Sequence, residues 1–431
     1  MDFSLYGLWL RPEATGLFSD YRGIPWQAKL LIYINFVPSI AVGFIYTDLS
    51  YFLPKVQGLA SPWPGLTITV MGLTLVAESI PMGVAADKYG RRKMLILGNV
   101  CASLSLIGFA LTNNVLLILV VAVLEGTGEA ASAVSVVALL AEKAGDEKRT
   151  TAFSGLALFG WVAIALGGFV IPSVGGFQSL GLDIREAHIY LYVIVGLVSL
   201  SVTPLMLKIT EGERIPQWRG FLPKKSRRVI GRFLIYSVTI AVGAGLFVPL
   251  MAYWFSAAYG VSDVVSGSVL GATNLLTAGV VFLSPMLAKR LGLVRATVLT
   301  QASSTVFMLL VPLSPTFSVS ASIYLVRVFL MNLSNPLTQS LIMGLVSPDE
   351  RGKASGINAA LWRLPNSLST SAGYVLIQDG LLGLPFYIAT VLYVAGITMF
   401  WFLFKDARLP EEIVAQPPSQ SSSFDGPEEV R

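Results

Sequence analysis

Residues Gly83–Lys93 read G-V-A-A-D-K-Y-G-R-R-K and close a long apolar stretch. An acid at Asp87, a glycine turn at Gly90 and a basic cluster at Arg91, Arg92 and Lys93 follow one another within eleven residues. Charges of this density directly after an apolar run mark the point where a hydrophobic helix leaves a bilayer, because lysine and arginine accumulate on one side of a membrane. In a soluble chain so short a pattern would mean little. Here the neighbouring segments supply the context.

Hydrophobic residues make up 54% of the 431 residues and charged residues 13%, with a mean hydropathy of +0.70. Ordinary soluble domains carry about 25% charged residues, so too few polar side chains exist here to cover a globule, and most of the surface must face lipid. Apolar spans are read near 29–54, 65–86, 93–112, 115–141, 151–173, 188–208, 229–255, 264–288, 294–313, 319–346, 355–378 and 383–404. Each is at or above the roughly 20 residues a helix needs to cross the hydrocarbon core. Runs this long exclude barrel strands, so the expected class is an all-α polytopic membrane protein with twelve transmembrane helices. The first 26 residues carry Asp2, Arg11, Glu13, Asp20 and Arg22 and lack the basic-then-apolar order of a cleavable signal. Cys101, the single cysteine, rules out an internal disulfide and reads as a small core residue.

With both termini placed in the cytoplasm, 26 of the 30 lysines and arginines fall on the inner side and only Lys55 and Arg185 on the outer. This asymmetry predicts a multi-pass protein of the cell membrane with cytoplasmic termini. It also accounts for the net charge of +5 as a topology signal, so no nucleic-acid partner is expected.

The chain repeats itself at a shift of 202 residues: Arg149 falls on Arg351, Ala152 on Ala354 and Glu147 on Asp349. Such a shift predicts two pseudo-symmetric six-helix bundles of parallel topology. The expected organisation is an N-terminal interfacial segment (1–28), a first bundle (29–208), a cytoplasmic linker rich in charge and proline (209–228), a second bundle (229–405) and a polar, disordered tail (406–431).

Gly83, Asp87, Gly90, Arg91, Arg92 and Lys93 match the loop G-x-x-x-D-x-x-G-R-R-K, and by it the chain resembles the major facilitator superfamily, whose signature lies between helices 2 and 3. The resemblance implies the two-bundle major facilitator fold. It also implies that the loop is a conformational latch tethering the halves on the cytoplasmic side, with Gly83, Asp87, Gly90, Arg91 and Arg92 as its members. Asp87 can pair with a base, and the arginines can cap helix C-termini. The second copy of the loop is degenerate, with Lys289, Leu293 and Val294 where the first has Asp87, Arg91 and Arg92.

A charge at a helix centre costs about 2.5–3.5 kcal/mol, so each one needs a reason. The first half holds Asp48, Glu78, Glu125 and Glu129 within its helices, and the second holds Arg327 and Arg363. Glu125 and Glu129 share one helix face a turn apart. At roughly 6 Å and an effective dielectric near 20 they repel by about 2.8 kcal/mol, which favours one of them keeping its proton. Glu125, Glu129, Asp48 and Glu78 are therefore the candidate proton-coupling residues. The repeat places Arg327 on the position of Glu125, and in the superfamily fold helices 4 and 10 both line the central cavity. The resemblance thus implies that these two face each other or bracket a substrate. Arg327, Arg363, Tyr33, Asn35, Asn332 and Asn335 are the candidate substrate-binding residues, with Tyr46 and the Asn335-Pro336 hinge beside them. His188, the only histidine, reads as interfacial at the outer mouth of helix 6, Asp48 as a solvated end position, and Tyr253 and Trp254 as interfacial anchors. Gly126-Thr127-Gly128 reads as a close helix contact. No metal-ligand spacing, nucleotide loop or nucleophile–base set is found, so neither an enzyme nor a cofactor is expected.

The chain is most similar to the twelve-helix drug and metabolite exporters of the superfamily, over about residues 28–405. The helix 5 pattern of those exporters is incomplete, with Ala163-Ile164 where Gly-Pro stands in them, and Ala122 occupies the position of their helix 4 arginine. The leading expectation is proton-coupled antiport, as in multidrug efflux, of a small amphipathic organic molecule by a monomer in the lipid bilayer. The alternatives are uptake or uniport of an organic anion held by Arg327 and Arg363, and a non-transporting membrane receptor.

Overall fold

The computed structural model describes residues 23–211, 226–346 and 351–407. The expected N-terminal segment up to residue 22, the centre of the linker (212–225) and the tail from 408 lie outside the described residues. The chain runs through α1 (Trp26–Tyr51), α2 (Trp63–Tyr89) and α3 (Arg91–Leu111). A single run Val115–Val170 then breaks at Gly145 (φ 68°, ψ 170°) into α4 (115–144) and α5 (146–170). It continues with α6 (Ile184–Ser201), α7 (Arg227–Gly245, extended after a break by Met251–Tyr259), α8 (Asp263–Leu291), α9 (Leu293–Leu310), α10 (Phe317–Leu345), α11 (Arg351–Gln378) and α12 (Leu384–Phe404). Among the described residues, ten helices are long and apolar enough to cross a membrane by themselves. Of the other two, α8 carries an uncharged run from Val264 to Val280, and α11 holds Arg363 and Asn366 where the two halves meet, so its polar residues face protein or water instead of lipid.

Successive helices reverse direction. Residues near 26, 209, 227 and 404 therefore share one end of the molecule, the terminal face, and residues near 57, 114, 183, 260, 316 and 379 share the other, the far face. Local signals set the starts. Asn114 accepts from the backbone N–H groups of Leu116 and Leu117 at 3.0 and 3.2 Å, and Asp183 and Glu186 form a capping box at the head of α6.

The repeat is visible in the backbone. Positive φ occurs at Gly58 (73°) and Gly260 (67°), and again at Gly90 (115°) and Gly292 (75°). Each pair keeps the shift read from the sequence. The second signature loop has lost its charges and kept its glycine because the reversal into α9 needs a backbone conformation that only glycine adopts without strain.

Small residues set the packing within the bundles. A Cβ on Gly126 would come within 2.6 Å of the Met71 carbonyl oxygen on α2, and one on Gly128 within 2.6 Å of the Ala102 nitrogen on α3. The G-x-G of α4 is thus the close helix contact its composition predicts. Tyr253 and Trp254 correct the expectation of interfacial anchors. Both are buried, and Trp254 donates its indole N–H to the Leu382 carbonyl at 2.9 Å while packing on Phe255 and Phe386. The break in α7 turns these rings inward.

The two bundles meet in their far halves. Thr69 on α2 donates to the Ser367 carbonyl on α11 at 2.7 Å and lies 2.7 Å from the Ser371 hydroxyl. A Cβ on Gly65 would come within 2.7 Å of the Tyr374 Cβ, and one on Gly168 of α5 within 2.7 Å of the Gly271 Cα on α8. The larger apolar core runs through both bundles there, from Phe44 and Phe52 to Met251, Phe255 and Phe386. A second core, around Leu31, Leu139, Leu140 and Met206, belongs to the first bundle at the terminal face. Asn335 and Gln339 on α10, and Arg363 at the cross-bundle contact on α11, stay at least partly exposed. Lipid rejects such groups, so the space they face is aqueous and opens toward the terminal face.

Candidate functional site

Glu129 lies mid-way along α4, Arg363 near the middle of α11, and Tyr46 on α1. The far-half packing brings all three to one point between the bundles. Arg363 Nη2 donates to Glu129 Oε1 at 2.8 Å, and its Nη1 donates to the Tyr46 hydroxyl at 2.9 Å. Tyr46 in turn donates to Glu129 Oε2. The guanidinium carbon sits 5.8 Å from the Tyr46 ring centroid. The result is a closed ring of three side chains in which the first bundle supplies the anion and the hydroxyl, and the second supplies the cation. The Glu129 side chain is 14% exposed and that of Arg363 is 42% exposed, so the cation keeps an open face toward the aqueous cleft.

Behind the clasp a cavity of about 270 Å³ enters the first bundle. Asn35, Ser39, Asn99, Glu125, Glu129 and Ser132 are among its lining residues. Glu125 is 2% exposed and accepts a hydrogen bond from the Ser105 hydroxyl on α3. Among the described residues no cation pairs with it. One cavity therefore joins a carboxyl group held by a cation at the cleft to a second carboxyl held only by a hydroxyl. Charge at either one can be balanced by a proton or by a bound cation.

The expected facing of Glu125 and Arg327 is corrected. Both point into their own bundles. Arg327 is 4% exposed, donates from Nη2 to the Tyr393 hydroxyl at 2.9 Å, and lies 4.9 Å from the Phe247 ring centroid. The repeat requires only that the two positions have equivalent surroundings, and here both side chains turn to partners within their own bundles, Ser105 and Tyr393, and not to the axis between them. The cross-bundle pair is instead Glu129 with Arg363, which the repeat does not equate.

The remaining sequence candidates divide. Asn35 donates to Ser39 at 3.1 Å on the cavity wall. Tyr33 is exposed and meets Phe159 edge-on, away from the clasp. Asn332 ties α10 to Thr277 of α8 at 3.2 Å, and Asn335, exposed, donates to Asn332 at 2.9 Å. Glu78 is half-buried on α2, with Oε2 buried and without a hydrogen-bond partner.

Asp48 and His188 depart from the expected solvated and interfacial placements. Each is fully buried, and they lie with Asp263 in the far seam. Asp263 was missed by sequence reading because an acid at a helix start reads as an ordinary cap.

In the signature loop, Arg91 pairs with Asp87 and with Glu142 of α4, both at 3.3 Å. Arg92 caps the end of the first bundle by donating to the Leu207 and Ile209 carbonyls, each at 3.2 Å, and its backbone N–H reaches Glu211. These contacts lie within the first bundle and the start of the linker. Gly90 supplies the turn, while a side chain at Gly83 would meet Val134 at an ordinary 3.6 Å.

Comparison with known proteins gives one consistent picture. The sequence model of the family described as Major Facilitator Superfamily matches residues 31–370 and, in a second match, 233–426. Multidrug resistance protein 2 of Bacillus subtilis is 24% identical over 390 residues, covering 85% of this chain and 92% of its own. The multi-drug resistance efflux pump PmrA of Streptococcus pneumoniae is 24% identical over 302 residues, covering 67% of this chain and 73% of its own. Among solved structures, the nucleoside transporter NupG superposes with a TM-score of 0.70 at 13% identity, over 87% of this chain and 99% of that one. A D-xylose-proton symporter superposes with a TM-score of 0.69 at 15% identity, over 86% and 97%. At such identities the structural likeness concerns the fold alone.

Proposed function

The chain belongs to the Major Facilitator Superfamily and is a transporter, and on that premise we propose that it exports a small amphipathic organic molecule by proton-coupled antiport. The observation that carries this reading is the Glu129–Arg363–Tyr46 ring, which crosses between the bundles in mid-membrane. The two relatives named for multidrug resistance and efflux agree with it. We place both termini in the cytoplasm, on the charge asymmetry of the sequence, and the protein in the cell membrane, so the cleft opens inward in this state.

Glu129 is the principal proton carrier of this mechanism, and Glu125, with Glu78 nearby, shares the proton within the first bundle. Ionised, Glu129 is held by Arg363 and Tyr46, and the cleft accepts substrate from the terminal face. A proton on Glu129 cancels the charge that holds Arg363, and a bound substrate displaces it. The cross-bundle attachment weakens, and the bundles rock the other way. Substrate and proton compete for the same carboxylate, so each leaves when the other binds. Asn35 and the cavity behind the clasp contact the substrate, with Asn332, Asn335 and Tyr33 on the approach to it. Asp87, Arg91 and Arg92 form the latch, closing on the second bundle when the terminal face shuts.

A second reading rests on one feature, the open face of the Arg363 guanidinium. An organic anion could dock there bidentately. Arg327, enclosed in the second bundle, does not share in it.

The test is flux into proteoliposomes under an imposed pH gradient, with a fluorescent lipophilic cation and a fluorescent carboxylate as the probes. Accumulation of the cation against the direction of proton flow supports antiport. Accumulation of the carboxylate along the gradient, or without one, supports the second reading. Binding of either probe without flux would contradict both.

A further inference from the structure

The far seam holds a cluster that this mechanism does not use. We propose that Asp48, His188 and Asp263 form a binding site for a divalent transition-metal ion that ties the two bundles together at the far face. Asp48 comes from α1 and His188 from α6, both in the first bundle, and Asp263 is the first residue of α8 in the second. Their relative exposures are 0%, 0% and 1%. One ligand atom from each lies within 4.8 Å of the other two.

The hydrogen bonds around the imidazole require a proton or a metal ion between the ring and Asp263. Nδ1 lies 2.6 Å from the Ile184 carbonyl, an acceptor only, so Nδ1 carries a hydrogen and donates it. Nε2 then faces Asp263 Oδ2 at 2.7 Å. A neutral imidazole in that tautomer would set a lone pair against a carboxylate. Either a proton, on Nε2 or on Oδ2, or a metal ion must lie between them.

The rest of the cluster favours the metal. Asp48 Oδ1 and Asp263 Oδ1 are buried without a hydrogen-bond partner, which is costly for a carboxylate. A proton on Nε2 satisfies neither atom and cancels one of two negative charges. A divalent ion cancels both beside a neutral imidazole and gives the orphaned oxygens a ligand role. The surroundings resemble an outer coordination shell. Nδ1–H on a carbonyl fixes the ring, and the Tyr192 hydroxyl donates to Asp48 Oδ2 at 2.9 Å. The rings of Tyr51 and Phe52, with centroids 6.5 and 5.8 Å from that of the imidazole, wall the site from water. One imidazole nitrogen with carboxylate oxygens suits zinc, cobalt or nickel, whereas calcium and magnesium take oxygen shells. The present separations span the edge of about 3.3 Å that a tetrahedron of ordinary zinc bonds requires, so small side-chain rotations complete the site.

The test uses the full chain, purified without a histidine tag, stripped with chelator and titrated with Co²⁺ and Zn²⁺. One Co²⁺ should bind per chain with visible absorption stronger than that of the hydrated ion. Zn²⁺ at about 100-fold over its Kd should raise the thermal midpoint by several degrees. His188→Gln and Asp263→Asn should each weaken binding at least 10-fold. Asp48→Asn, which keeps the shape of the side chain, should do the same if either of the others fails to fold. The proposal is overturned if wild-type protein shows neither the absorption nor the shift, as a seam holding only protons would. It is equally overturned if the folded variants respond like wild type, which would place the metal elsewhere. Neither readout depends on transport, so this outcome is independent of the proposed function.

Discussion

Glu129→Gln is expected to abolish gradient-driven accumulation, by 100-fold or more, while the protein stays folded and still exchanges substrate at equal pH. Glutamine keeps the shape of the side chain, and its one oxygen can still accept from Arg363 while its amide N–H faces the Tyr46 hydroxyl, where the second carboxylate oxygen lies now. What it loses is the ability to alternate between an anion and a neutral acid. The structural penalty is modest. A charge-assisted hydrogen bond is worth about 1.5–3 kcal/mol, and the 42% exposure of the Arg363 side chain screens part of that. Folding, followed by thermal unfolding in detergent, should change little, whereas coupling should be lost. If accumulation in the variant still follows the pH gradient as in wild type, Glu129 does not carry the proton.

Gly168→Val is expected to reduce transport at least 10-fold by wedging the far seam open. A Cβ at Gly168 would sit 2.7 Å from the Gly271 Cα and 2.8 Å from the Gly271 nitrogen. Both are backbone atoms and cannot rotate aside as a side chain would. α5 and α8 must then part by about 1 Å before ordinary contact is restored. Those helices belong to different bundles, so the strain acts on the equilibrium between the two global states more than on either bundle. Gly160→Val on the same helix is the control, since a Cβ there meets nothing within 4 Å. Transport rates of the two variants, with reactivity of a cysteine placed at exposed Lys55, measure the effect. Equal behaviour of the two would contradict a close-packed seam.

Much of the architecture was legible because its causes are local and periodic. Apolar length revealed the spans, the charge asymmetry at Lys88–Lys93 and Lys208–Arg232 predicted their order, and the shift of 202 residues predicted the two bundles. The glycines at 58 and 260, and at 90 and 292, show that repeat again in their positive φ. The site was only partly legible. Burying charge is costly wherever it occurs, so Glu125, Glu129, Asp48 and Arg363 stood out one by one. Their partners did not, because pairing depends on how helices far apart in sequence rotate against one another. The repeat pointed to Glu125 with Arg327 for this reason, and the packing chose Glu129 with Arg363. Asp263 gave no signal at all, since an acid at a helix start needs no further explanation. His188 gave a misleading one, because its position near a helix end conceals that α8 and the ring of Phe52 cover it.

The central claim is that protonation at Glu129 changes how the two bundles sit against each other. The most direct measurement is the distance between spin labels at Lys55 and Asp379, two exposed positions on the far face of opposite bundles, in a Cys101→Ser background. Two distance populations are predicted, with the longer one growing as pH falls in the wild-type protein and a pH-independent ratio in Glu129→Gln. A single distance that ignores pH, or a pH response that survives in Glu129→Gln, would contradict the account.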